Sequence, residues 1–291
     1  MSYSIRSYVQ LCKPRVVMLM ILTSMAGMCL APVTPFPYHL FFWGNLGIAL
    51  VASAAAALNH VADQHIDKIM RRTQHRPLVQ GTISVRNSIV FATLLCITGI
   101  LILFYFVNSL TTILTFLSLM GYAVLYTLYL KQATPQNIVI GGIAGAIPPL
   151  LGWTSVTNSI SPAPLLLVLI IYVWTPPHFW ALAIYRLEDY AKANIPMLPH
   201  THGIAYTKLN ILLYTILLIV AATMPYFIYM SGVIYLIGIS LANIVFLIYA
   251  LRLFFTKDRM LALRTFWYSI HYLAILFLLL LLDHYLSRGI L

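Results

Sequence analysis

Asn59-His60-Val61-Ala62-Asp63-Gln64-His65-Ile66-Asp67-Lys68-Ile69-Met70-Arg71-Arg72-Thr73-Gln74-His75-Arg76-Pro77 closes one long apolar run and precedes the next. It carries two of the six acidic residues in a chain of 291, with a group of basic residues close behind them. A helix places positions i, i+4 and i+8 on one face, so Asn59, Asp63 and Asp67 form a ladder of oxygen donors. Like charges at this spacing repel. A hard divalent cation removes that cost, and Mg²⁺ is held by one or two carboxylates together with substrate phosphates. The arginines that follow are a natural clamp for the phosphates. The stretch reads as a Mg²⁺-diphosphate site at a membrane surface.

The rest of the chain says what surrounds it. Hydrophobic residues make up 62% of the sequence and charged residues 8%, with a mean hydropathy of +0.92. A soluble domain is about half apolar and a quarter charged, so the expectation is an all-α polytopic membrane protein. Apolar runs long enough to span occur at about 16–34, 40–60, 88–107, 110–130, 137–155, 163–184, 209–229, 232–251 and 265–287, about nine by the ~20-residue criterion. The chain reads as a single intramembrane domain over residues 1–291. The fifth run holds Gly141, Gly142, Gly145, Pro148 and Pro149; it should be kinked and let neighbouring helices approach closely. Residues 1–15 are polar and the run behind them is too long for a cleavable signal. No Arg- and Ser-rich transit segment is visible, which favours a bacterial inner membrane over an organellar one. Cys12, Cys29 and Cys96 show no metal or disulfide spacing.

The basic residues orient the spans. Arg6, Lys13 and Arg15 precede the first, Lys68, Arg71, Arg72, Arg76 and Arg86 follow the second, and Lys131 follows the fourth. Arg186, Lys192 and Lys208 follow the sixth; Arg252, Lys257, Arg259 and Arg264 follow the eighth. The alternate loops carry none, and only Arg288 falls on the other side. The positive-inside rule then places the N-terminus and the acidic ladder in the cytoplasm and the C-terminus in the periplasm. The net charge of +11 is thus a topology signal with a bias toward anionic lipids or substrates, and no nucleic-acid footprint.

A second acidic pair, Glu188-Asp189, follows Arg186 at the cytoplasmic end of the sixth span. Carboxylates from two helix ends, each beside basic residues, can hold metal ions against one diphosphate and help its carbon–oxygen bond ionise. The competing reading is structural ion pairing. It is weakened because four of six acids lie at span ends on one side, where intramembrane acids are by default functional. Asp258, between Lys257 and Arg259, reads as a surface charge and Asp283 as interfacial.

Asn59-x₃-Asp63-x₃-Asp67, Met70-x-Arg72-Thr73-x₂-Arg76-Pro77-Leu78 and Gly81-x-Ile83-Ser84 together resemble the UbiA-type intramembrane prenyltransferases. Tyr126-Thr127-Leu128-Tyr129-Leu130-Lys131, Gly141 to Gly152 with Pro148-Pro149, Pro177-His178, and Asp189-Tyr190-x₂-Ala193-Asn194-Ile195-Pro196-Met197-Leu198-Pro199 through Gly203 extend the likeness. His60 and Gln64 stand where aromatic-acid prenyltransferases place Asp and a basic residue, which points to the branch whose acceptor is haem. His200 and His202 depart from the hydrophobic residues expected after Pro199. The resemblance implies nine helices around a central cavity under a cytoplasmic cap. It implies Mg²⁺ on Asn59, Asp63, Asp67 and Asp189, with Glu188 assisting, and diphosphate on Arg72, Arg76 and Lys131. Asp63, Asp67 and Asp189 would be the catalytic carboxylates. The implied reaction joins farnesyl diphosphate to the 2-vinyl group of haem B through an allylic cation that the apolar cavity keeps from water. A haem A synthase or terminal oxidase assembly would be a downstream partner.

His178, in Trp174-Thr175-Pro176-Pro177-His178, lies two to three turns from Asp189 at the rise of about 1.5 Å per residue. It could ligate haem iron or hydrogen-bond within the bundle, including to backbone groups freed by the prolines. His60 and His65 are further candidates for haem contact; His39, His271 and His284 read as interfacial, and the abundant Tyr and Trp mostly as belt and packing residues. Three other functions compete: a prenyltransferase for a quinone precursor or aromatic acceptor, an ion-coupled transporter, and a haem-handling protein without catalysis. The transporter reading is disfavoured because such proteins show internal repeats and midplane charges, whereas here the acids sit at span ends.

Overall fold

The computed structural model describes residues 5–287, and every regular element among them is helical. In chain order these are α1 (Ile5–Leu11), α2 (Pro14–Leu30), α3 (Tyr38–Ala62), α4 (Gln64–Ile69), α5 (Val85–Phe106) and α6 (Ser109–Met120), the last continuing as a π-helix over Gly121–Leu130. Then come α7 (Lys131–Ala133), α8 (Asn137–Ala146), α9 (Pro148–Thr157), α10 (Pro162–Tyr185), α11 (Leu187–Lys192), α12 (Leu198–Thr201), α13 (Gly203–Phe227), α14 (Val233–Phe255) and α15 (Arg259–Ser287). Eight helical stretches are long and apolar enough to cross a membrane, and the pair α1–α2, bent by 54°, makes a ninth if taken as one span. The chain is a multi-pass membrane protein of the expected class. Arg288 lies outside the described residues.

Helix ends differ from the hydropathy runs. Lys208, Arg252 and Arg264 lie within α13, α14 and α15 rather than in loops. A helix ends where its unsatisfied backbone groups find partners, not where side chains turn polar. Lys208 Nζ donates to the carbonyl of Thr256, just past α14. The exposed Asp258 accepts from Met260 N at 2.8 Å, at the start of α15.

The described residues form two compact units. The first contains α1 to α7 and α9. In it α3 packs along α5, and α2 packs on both α3 and α9. The α2–α9 contact shows the expected close approach: a Cβ on Gly27 would lie 2.1 Å from Pro149 O, and one on Gly152 would lie 2.0 Å from Ser24 O. The fifth apolar run is broken at Ile147, where α8 gives way to α9 ahead of Pro148-Pro149, because proline lacks the N–H that would continue the ladder. Asn108 starts α6 by accepting from Thr111 N at 2.8 Å, and its amide donates to Thr154 O at 2.9 Å, tying α6 to α9.

The second unit contains α8 and α10 to α15, with α10 packed on α13, α15 and α8, and α14 between α13 and α15. Its helices are tied by buried hydroxyls: Tyr235 Oη donates to Ala222 O at 2.6 Å and Tyr272 Oη to Asn243 Oδ1 at 2.7 Å. Such cross-helix bonds are the polar glue of membrane bundles. Asp283 and His284, whose place in the last span reads as interfacial, are buried against protein. The reason for Asp283 is capping from a neighbouring helix. Its carboxylate accepts from Ser231 Oγ at 2.9 Å, Gly232 N at 2.5 Å and Tyr235 N at 3.2 Å, at the N-terminus of α14. Helix N-termini present orphan donors and the positive end of the dipole. Asp283→Ala should therefore cost about 1–2 kcal/mol, read as a lowered thermal-unfolding midpoint in detergent, and Asp283→Asn should cost less.

Candidate active site

The ladder survives the end of its helix. The chain leaves α3 through Asp63 into α4, yet Asp63 N still bonds Asn59 O (3.0 Å) and Asp67 N still bonds Asp63 O (2.8 Å). The helical rise is thus kept across the junction, and Asn59, Asp63 and Asp67 stay in register. They are 4%, 4% and 3% exposed. A buried carboxylate needs a counter-charge, and each rung has a basic partner from a different part of the unit. Arg76 Nη1 meets Asp67 Oδ2 at 2.5 Å, and Lys131 Nζ meets Asp63 Oδ2 at 2.6 Å. Lys13 Nζ donates to Asn59 Oδ1.

The amide of Asn59 is oriented by the π-helix. Thr127 Oγ1 donates its proton to Tyr122 O (2.8 Å), five residues back, so its oxygen accepts from Asn59 Nδ2 at 3.3 Å. Oδ1 of Asn59 is thereby turned toward Lys13 and away from Thr127. π-helical turns are rare and concentrate at functional sites. Here the wide turn brings Thr127 and Lys131 to successive rungs. Arg76 is returned to Asp67 by a tight loop in which Thr73 Oγ1 donates to Asp67 O at 3.1 Å.

In the second unit Arg186 ends α10, and Asp189 lies in α11 one turn on. Asp189 Oδ2 is 3.8 Å from Arg186 Nη1, and its side chain is 22% exposed. Glu188 points elsewhere: it is 77% exposed and pairs with Arg259 at 3.0 Å. An exposed pair of this kind contributes about 0–1 kcal/mol.

The sequence profile of the UbiA prenyltransferase family matches residues 20–281. The chain belongs to that family. It is 59% identical over 280 residues to the protoheme IX farnesyltransferase of Coxiella burnetii, covering 96% of this chain and 92% of that one. It is 56% identical to the enzyme of the same name from Legionella pneumophila, covering 96% and 95%. Among solved structures, one of a digeranylgeranylglyceryl phosphate synthase superposes with a TM-score of 0.81 at 18% identity, over 96% of this chain and 98% of that one. A UbiA homologue from Archaeoglobus fulgidus bound to DMAPP and Mg²⁺ superposes with a TM-score of 0.66 at 14% identity, over 94% and 99%. At such identities the likeness is one of fold.

In this UbiA prenyltransferase the remaining sequence candidates fall in different surroundings. Arg72 is exposed and makes no ion pair or hydrogen bond among the described residues. His65 is also exposed. His60 is buried next to Asn59, with no hydrogen-bond partner for either ring nitrogen among the described residues. His178 is buried and bonds a serine hydroxyl, Ser269 Oγ, at 2.7 Å; the backbone groups freed by Pro176-Pro177 are not its partner. Lys13 is the site residue that sequence reading missed, because it served there only as a topology marker. The available signal was its place before Pro14 at the head of the first apolar run. It takes a left-handed conformation (φ 48°, ψ 59°) at the bend between α1 and α2, one uncommon for non-glycine residues, and it reaches Asn59 from there.

Breaking one rung tests the charge balance. Lys131→Met leaves Asp63 buried without its partner and should cost the metal-free protein about 3–5 kcal/mol. The double change with Asp63→Asn should recover most of that, a coupling measurable from four unfolding midpoints.

Proposed function

We propose that this chain transfers the farnesyl group of farnesyl diphosphate to the 2-vinyl group of protohaem IX (haem B). Water is consumed, and haem O and diphosphate are the products. The observation that carries this is the 59% identity to a protoheme IX farnesyltransferase over nearly the whole chain. It is supported by a buried oxygen ladder suited to a metal-bound diphosphate.

The donor set fits Mg²⁺: hard oxygens from Asn59, Asp63 and Asp67, with at most two carboxylates on the ladder, leaving positions for phosphate oxygens. Among the described residues no three His, Cys, Asp or Glu side chains form a ready cage, so substrate phosphates would have to complete the shell. Asp189 is the further carboxylate assigned to the metal, with Glu188, which pairs with Arg259, as its helper. When bound, Mg²⁺ supplies positive charge that stabilises the departing diphosphate. Arg76 and Lys131, already beside the ladder, are the groups that would turn to the phosphates, joined by Lys13 from α1–α2; Arg72 would approach from outside. The apolar walls of the spans exclude water from the allylic cation until the vinyl carbon has attacked. Of the three histidines assigned to haem, His178 is the one whose ring is both stacked and hydrogen-bonded among the described residues.

The single domain over residues 1–291 lies in a bacterial inner membrane with the N-terminus and the acidic ladder cytoplasmic. The basic loops support that orientation. A haem A synthase or terminal oxidase assembly is the proposed recipient of the product. Reporter fusions after residues 36, 80 and 230 should read periplasmic, cytoplasmic and periplasmic; any reversal overturns the orientation.

Mass analysis of haem extracted from membranes expressing the chain, with and without farnesyl diphosphate, tests the reaction. Haem O should appear only with the donor. Asp63→Asn should remove the product while the purified protein stays folded. Farnesylation of an aromatic acid or quinone precursor in place of haem would transfer the assignment to another branch of the family.

A further inference from the structure

His178 of α10 and Ser269 of α15 are both buried and hydrogen-bonded to each other. His178 is 8% exposed, and its ring lies flat between two aromatic rings. Trp174 stacks at 4.2 Å and 20°, Phe266 at 4.5 Å and 29°, and Phe179 meets its edge at 5.0 Å. The ring plane is therefore set by packing. Its remaining freedom is which nitrogen carries the proton.

That choice follows from hydrogen-bond arithmetic. Ser269 Oγ is 2.6 Å from Phe266 O and 2.7 Å from His178 Nδ1. A carbonyl oxygen can only accept, and a serine hydroxyl has one proton to give. The proton lies on the Phe266 side, so Oγ accepts from Nδ1–H. In the neutral ring the lone pair then belongs to Nε2. That nitrogen makes no hydrogen bond among the described residues. Ser269 itself is held, because Trp174 Nε1 donates to its backbone carbonyl at 2.8 Å. One residue of α15 thus receives two donors, one turn apart, from α10.

We infer that Ser269 is a positioning residue for the haem substrate: it holds His178 as the Nδ1–H tautomer and presents Nε2 as a ligand to the haem iron. This rests on the haem-acceptor reading above. Histidine ligands commonly donate their second N–H to a fixed acceptor, which sets tautomer and ring orientation and raises ligand basicity. An acceptor hydroxyl backed by a helix carbonyl meets that requirement. His60, with no hydrogen bond to either nitrogen among the described residues, has no such support there.

The test titrates haem B into the purified full-length protein and into its S269A, H178A and double variants, recording the absorption spectrum and the dissociation constant. H178A should lose the spectrum of histidine-ligated iron. S269A removes one oxygen and leaves the Trp174 bond to the Ser269 carbonyl in place. It should weaken haem binding by about 10–100-fold and shift the Soret band. In the H178A background the same change should have no further effect. A spectrum and affinity unaltered by S269A, or an equal loss in the H178A background, would overturn the role of Ser269. A spectrum unaltered by H178A would remove the ligand itself. Haem O formation by the wild-type protein, followed by mass, judges the acceptor reading separately, so the two failures are distinguishable.

Discussion

Two carboxylates and an amide buried at the end of an apolar helix cannot stand alone, and the first unit is organised around meeting that requirement. The basic partners arrive from the bend before Pro14, from the loop that carries Arg76 and from the end of the π-helix at Lys131. Three remote parts of the chain are thereby brought to one helix end. An ion pair in a low-dielectric interior is costly to form and more costly to break. Such an arrangement is weak as a source of stability and strong as a specification of where each group must lie. It also gathers Lys13, Arg76 and Lys131 at one place.

A second device recurs in both units. Thr127 and Ser269 each direct their only proton to a carbonyl of their own helix, which forces the hydroxyl oxygen to accept from a side chain of another segment. In one case this orients the Asn59 amide, in the other the His178 imidazole. A side chain that both donates and accepts is ambiguous until its neighbour has no choice left. Buried hydroxyls remove that ambiguity without bringing a further charge into the membrane.

The fold is shared with structures only 14–18% identical, among them a digeranylgeranylglyceryl phosphate synthase. A common scaffold therefore does not decide what is prenylated. The surroundings of His178 distinguish it from the exposed His65 and from His60. In the same way a partly buried Asp189 is distinguished from the exposed Glu188, although the two carboxylates are adjacent in sequence.

Composition and pattern alone determined the membrane class, the approximate number of spans, the placement of the acids at span ends and the i, i+4, i+8 ladder. Each of these depends on local spacing along a helix or on the apolar length needed to cross a bilayer. The likeness to prenyltransferases was legible for the same reason, since its blocks are contiguous. Lys13 was not, because its partner Asn59 is 46 residues away and no local rule joins them. Nor was the capping of α14 by Asp283, the outward turn of Arg72, or the serine that selects a tautomer of His178. Those depend on which side chain of a distant segment arrives within about 3 Å, where a hydrogen bond forms. Only the packed helices decide that.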